Sequence, residues 1–310
     1  MSYKLLSYRA GTAARAGILV EEKVYDAASV TGDHAHWSVL GVLGDWGKAH
    51  RLLAGAAKRI AAGKSRARGV PLKRVKLLSP VLYPGTVFCA GANYTDHMQE
   101  MARVQNLPPE RDPHELGLKP WHFIKTSRAS VVGPGAAVKL PPYTQMVDWE
   151  IELVAVIGRT ARNVPLQNAL GCVAGYTIAN DLSARDVFRR PHVSDASPFK
   201  LDWLAQKCFD GACPLGPWIV PASDVADLQR LAMKLWVNGE LMQDSNTGKM
   251  IFTAAEQIAH LSSRVTLQPG DLVLTGTPAG VGMGRQRFLK SGDALKLRIE
   301  GIGELHHTVA

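Results

Sequence analysis

The chain has 310 residues, 46% of them hydrophobic and 20% charged, enough to build one large core or two smaller ones. No run of 18 apolar residues occurs, which excludes a membrane-spanning helix, and Met1-Ser2-Tyr3-Lys4 opens without the apolar stretch of a secretory signal. The net charge is +9 and the excess is local: residues 46–95 hold ten of the 36 Lys and Arg and none of the 27 Asp and Glu. Such a block can mark nucleic-acid binding, but it lacks interleaved aromatics and a recognised motif, so it reads as a solvated face. Cys89, Cys172, Cys208 and Cys213 are scattered without a CxxC. That predicts a reducing, cytoplasmic setting and no thiolate metal site. No nucleic-acid or membrane partner is expected.

In chain order, residues 3–8 and 17–25 suggest a short hairpin. Ala49 to Ala62 has Leu52, Leu53, Ala56 and Ile60 at helical spacing. The polar stretch Lys64 to Pro71 ends in breakers and reads as a linker. A small amino-terminal domain is placed at 1–80 and a catalytic domain at 81–310. Val87-Phe88-Cys89-Ala90 reads as a strand, and the segment after Gly91 turns helical by Asp96. That helix sets His97 and Glu100 one turn apart on one face. A carboxylate there can orient the ring and hold the proton it gains, although two unrelated surface groups would look the same. Asn106 to Lys119 contains three prolines and reads as a long loop of the kind that forms lids. Trp121 to Lys125 is a further strand, ahead of the Gly133-Pro134-Gly135 turn.

The most informative stretch is Val147 to Gly158, an apolar and β-branched run expected to be one buried strand. Alternation sends Glu150 and Glu152 to one face, which Val154 and Val156 continue. Two carboxylates in an apolar setting share a proton, hold a cation, or sit at an edge that reaches water. Oxygen-only ligands point to a hard cation such as Mg²⁺, Mn²⁺ or Ca²⁺. Gly171 to Asn180 is another strand, with Asp181 at its end as a candidate third carboxylate. Lys207 lies among apolar neighbours, where a surface lysine is the plainer reading. Leu235 to Met242 is a hairpin about Asn238-Gly239, and Thr253 to Glu256 a capping box. Leu272 to Thr275 is a strand, and Leu295, Leu297 and Ile299 alternate as in a half-exposed one. Gly276 to Gly284 is a glycine-rich loop without GK[ST], so it is no P-loop. It can still bring N–H groups and Thr277 close to an anion, or serve as a tight structural turn. Strands outnumber helices, so a mainly β, α+β fold is expected.

Five motifs in order resemble the fumarylacetoacetate hydrolase family over about residues 82–309: the stretch Gly91 to Glu100, Asp148 to Leu153, Asn180 to Asp186, Lys207 to Trp218, and Leu274 to Gly280. The resemblance implies a mixed β-sandwich roll, usually homodimeric. It implies a divalent metal, Mg²⁺ or Mn²⁺ with Ca²⁺ also suitable, on Glu150, Glu152 and Asp181. It implies a catalytic His97–Glu100 pair on a mobile lid with Lys207 near the substrate oxygens. Tyr94, Arg185, Gly276 and Thr277 would meet the substrate, a small 2-oxo acid. Phe188 departs from the family pattern, which favours a glutamine there. The activity so implied is hydrolysis of a C–C bond in a 2,4-dioxo acid, an acylpyruvate or an aromatic ring-cleavage product, through a metal-bound enolate. A 2-oxo acid decarboxylase acting on oxaloacetate, an isomerase, or a 2-keto-3-deoxy sugar acid dehydratase would need the same site. A basic nucleic-acid or scaffold protein using residues 46–95 is the non-enzymatic alternative.

Overall fold

The computed structural model describes residues 3–108 and 110–310. Met1 and Ser2 of the expected chain start, and Pro109 of the expected 106–119 loop, lie outside them.

β1 (Lys4–Ala10), β2 (Ala13–Val20) and β3 (Lys23–Asp26) form an antiparallel meander, one strand more than the expected hairpin. The extra reversal sits at Glu21 and Glu22, both left-handed with φ of 47° and 61°. Tight turns of this hand favour Asn and Gly, so two glutamates hid it. α1 (Trp46–Ala61) starts three residues earlier than its apolar spacing suggested. It buries Ala49, Leu53, Ala56, Ala57 and Ile60, while Lys48, Arg51, Lys58 and Arg59 of the basic block stay exposed.

Then come β4 (Val87–Ala90), α2 (Thr95–Val104), β5 (His122–Lys125), β6 (Ile151–Ile157), β7 (Val173–Asn180) and β8 (Cys213–Pro221). The carboxy-terminal part adds β9 (Ala232–Val237), β10 (Glu240–Asn246), α3 (Ala254–Arg264), β11 (Leu272–Leu274), β12 (Ala294–Ile299) and β13 (Gly303–Val309). The large sheet runs β3-β2-β1-β8-β7-β6-β11-β4-β5, with β4 and β11 parallel. Leu5 of β1 stands opposite Ile219 of β8, so the sheet passes from residues 1–80 into 81–310 without a break. The second sheet runs β10-β9-β12-β13. Its first hairpin turns at Asn238 and Gly239, both with positive φ, and the Thr253–Glu256 capping box opens α3, as expected.

β6 lies in the middle and is buried on both faces. Ile151, Leu153, Ala155 and Ile157 share a core with Met233, Leu235, Leu297 and Leu305 of the second sheet. Val154 and Val156 share another with Ile18, Leu53 and Ala57. Full burial of each Val, Leu or Ile side chain contributes about 1.5–3 kcal/mol, which is why this strand is apolar at every position but Glu152. The stretch is not one strand, however. Val147 and Asp148 pair with Ser183 and Ala184, and β6 begins only at Ile151. Side chains replace the ladder in the gap: Trp149 N donates to Asp148 Oδ1 at 2.8 Å, and Glu150 N to Asn180 Oδ1 at 2.8 Å.

Candidate active site

The start of β6 and the end of β7 lie side by side, with Ile151 opposite Asn180. This brings Glu150, Glu152 and Asp181 together, with one oxygen of each within 4.8 Å of the others and all three residues buried. Cations surround two of them. Lys207 Nζ lies 2.8 Å from Glu150 Oε2 and 2.7 Å from Asp181 Oδ2. Lys125 Nζ lies 2.6 Å from Asp181 Oδ1. Arg185 reaches Asp148 Oδ2 through Nε at 2.9 Å and Glu150 Oε1 through Nη2. Glu152 touches none of these cations; its Oε2 accepts from Gly276 N at 2.6 Å.

Four buried carboxylates thus face three cations, and Glu152 is the one left without a cation. Burial, then Asp181 and Glu150, push the Glu152 carboxyl well above the ordinary range. For Glu150, burial pushes up, but Lys207 and Arg185 outweigh it and hold the carboxyl below that range. For Lys207, burial pulls down, but Asp181 and Glu150 outweigh it and keep the ammonium protonated. A surplus of buried carboxylate oxygen fits a hard divalent ion, and the Lys207 ammonium already shows that the cleft draws positive charge.

Metal affinity should therefore rise with pH. Glu152 must lose its proton to act as a ligand, and its raised pKa keeps that proton on as pH falls. Calorimetric titration with Mg²⁺ or Mn²⁺ from about pH 5 to about pH 8 should show tighter binding and proton release at each step. A flat profile would contradict the charge assignment. A second group of potential ligands, Asp33, His36 and Asp45, has its charge met by Lys48, 2.8 Å from Asp33 and 3.8 Å from Asp45.

α2 supplies the expected pair. Asp96 pins its first turn, accepting from Ser245 Oγ at 2.6 Å and Lys249 Nζ at 3.1 Å. Gly280 N donates to both oxygens of Glu100 at 3.0 Å, which ties the helix to the glycine-rich loop. His97 lines a cavity of about 600 Å³ together with Glu150, Glu152, Arg185, Lys207 and Thr277. Its buried Nδ1 has no hydrogen-bond partner and lies 3.6 Å from Glu100 Oε2.

Two of the expected substrate contacts, Tyr94 and Gly276, are placed differently. Tyr94 is fully buried and turns into the core, its hydroxyl donating to Met233 Sδ at 3.1 Å, so it does not reach the cavity. Gly276 N is used by Glu152. Arg185 lines the cavity, held by Asp148 and Glu150. Thr277 does line the cavity, and its Oγ1 accepts from Gln243 Nε2 at 2.9 Å. Sequence reasoning missed Lys125, Asp148 and Gln243. Lys125 and Asp148 had left traces, Lys125 as a lysine closing the short strand His122-Phe123-Ile124-Lys125 and Asp148 as the first residue of the motif Asp148 to Leu153.

A mixed β-sandwich with a buried carboxylate cluster and a histidine on its cavity wall defines an enzyme class built around a divalent-metal site. Residues 86–310 match the fumarylacetoacetate (FAA) hydrolase C-terminal family model, and the chain belongs to that family. It is 41% identical over 242 residues to the human mitochondrial oxaloacetate tautomerase FAHD2B, covering 77% of this chain and 71% of that one. The fumarylacetoacetate hydrolase of Exiguobacterium antarcticum matches with a TM-score of 0.75 and 30% identity over 99% of both chains. The maleylpyruvate hydrolase of Sphingobium sp. SYK-6, solved with manganese(II) and pyruvate, matches with a TM-score of 0.73 and 27% identity over 99% of this chain and 98% of that one.

Proposed function

We propose that this chain is a divalent-metal-dependent hydrolase that cleaves the C3–C4 bond of a 2,4-dioxo acid, with water, to a carboxylic acid and pyruvate. The observation that carries this is His97, whose ring lines the same cavity as the carboxylate cluster with Glu100 behind it at 3.6 Å. Mg²⁺ or Mn²⁺ on Glu150, Glu152 and Asp181 would supply Lewis-acid polarisation of the 2-oxo acid. The maleylpyruvate hydrolase neighbour was solved with manganese(II) and pyruvate, which supports a divalent ion and a 2-oxo acid as the ligands of this chain.

His97 Nε2 takes a proton from the attacking water, and Glu100 closes on Nδ1 as the imidazolium forms. Lys207, kept protonated by its carboxylates, donates to the oxygen that becomes negative. Arg185 holds Glu150 and Asp148 in place while this happens. His97 then returns its proton to C3 of the departing pyruvate. The four cysteines are free, which supports a reducing compartment.

The 41% identity to an oxaloacetate tautomerase favours a second reading. There His97 moves the C3 proton between carbon and solvent as keto and enol forms exchange, and no carbon–carbon bond breaks. Metal-stripped protein reloaded with Mg²⁺ or Mn²⁺ and given an acylpyruvate and oxaloacetate decides between them. Acid plus pyruvate is the expected product. Keto–enol exchange of oxaloacetate without acid release would favour the second reading, and CO₂ release a decarboxylase. No turnover of either compound would remove them all.

A further inference from the structure

The cavity wall beyond the carboxylates is aromatic. Lys207 Nζ sits 4.8 Å above the Phe123 ring, so Phe123 borders the charged end. Trp203 stacks on Phe123 with ring centroids 5.3 Å apart. Trp121 and Phe188 then meet Trp203 edge-on, at 5.2 Å and 4.5 Å. All four rings line the cavity. Trp203 and Lys207 sit four residues apart on one short helix, Trp203–Lys207, so a single element joins the charged end to the aromatic wall. Gly91 lets the Trp121 ring pack against the backbone, since a Cβ there would lie 2.0 Å from the ring and displace it. From α2, Met98 and Met101 also line the space, and their flexible thioethers suit an apolar guest.

Charge is distributed accordingly. Among the described residues, the Lys and Arg side chains on the cavity lining are Arg185 and Lys207, and both are bound to the carboxylate cluster. His97 is the proposed base. Away from the cluster, the charged side chain of the described lining is Glu110, an anion. A second carboxylate at the far end of a substrate would lose its water there and gain no cation.

We infer, on the reading that the site takes a 2-oxo acid, that its substrate is a monocarboxylate whose far end is an aryl or bulky apolar group seated on Phe123, Trp203, Trp121 and Phe188, rather than a diacid. Aromatic contact and apolar burial would hold that group.

The test uses Mg²⁺-loaded protein and calorimetry with 2-oxo-4-phenylbutanoate and 2-oxopentanedioate. Neither carries a 4-oxo group, so binding is read without cleavage. The phenyl compound should bind at least about tenfold more tightly. Phe188→Ala should shrink that ratio about fivefold or more, and Phe188→Arg should move it further towards the diacid. Equal affinities, tighter binding of the diacid, binding of neither, or a ratio indifferent to both substitutions would overturn the inference. Failure of the acylpyruvate assay alone would remove the hydrolytic reaction and leave the affinity ratio standing.

Discussion

His97→Ala should lower turnover of a 2,4-dioxo acid by about 10²–10⁴-fold, the usual loss when a positioned acid–base group is removed. Affinity for Mg²⁺ or Mn²⁺ should stay near that of the parent chain, because the carboxylate cluster is built by β6, β7 and the helix carrying Lys207, not by α2. The Glu100 carboxylate keeps both of its hydrogen bonds from Gly280 N in the variant, so the helix should remain docked. Steady-state kinetics beside calorimetric metal titration reads the two quantities separately. Turnover within about threefold of the parent would exclude His97 as the base, since acid–base catalysis contributes far more. Lost metal affinity would show that His97 belongs to the ligand set instead.

Lys125→Met should destabilise the metal-free protein by about 3–5 kcal/mol, the range for removing one partner of a buried ion pair. The Lys125 side chain is fully buried. Its ammonium donates to Leu182 O at 3.0 Å and Lys207 O at 2.6 Å, and faces Asp181 Oδ1 at 2.6 Å. Methionine leaves two carbonyls and one carboxylate oxygen without this cation. Saturating Mg²⁺ should recover more stability in the variant than in the parent, because Asp181 then regains positive charge. Guanidinium unfolding with and without Mg²⁺ measures both effects. A loss under about 1 kcal/mol would mean that water reaches this oxygen and that the cluster is not dry.

Much of the site was legible because it lies in short segments with strong local rules. The spacing of Glu150 and Glu152 pointed to two neighbouring carboxylates, although Glu150 lies just ahead of the strand that carries Glu152, and His97 and Glu100 could be placed on one face of a helix. Asn238-Gly239 and Thr253–Glu256 carry their turn and cap chemistry in their own side chains. The reversal at Glu21-Glu22 had no such chemistry, and tertiary pairing of β2 with β3 imposed it. Tyr94 shows the limit from the other side. Its motif neighbours His97 and Glu100 face the site and the glycine loop, yet its own direction is set by packing against Met233.

The residue pattern by itself determined a mainly β chain, a pair of neighbouring carboxylates and a histidine one helical turn from a glutamate. Periodicity and capping act over a few residues, so they can be read along the chain. Only the tertiary structure decided how charge is shared out. Lys125, Arg185 and Lys207 come from three separate segments and meet within the same buried volume. Coulomb energy there depends on distance and burial rather than on sequence separation. For that reason the pairing of Glu152 with a backbone N–H instead of a cation, and the aromatic wall beyond it, became visible only once the strands were packed.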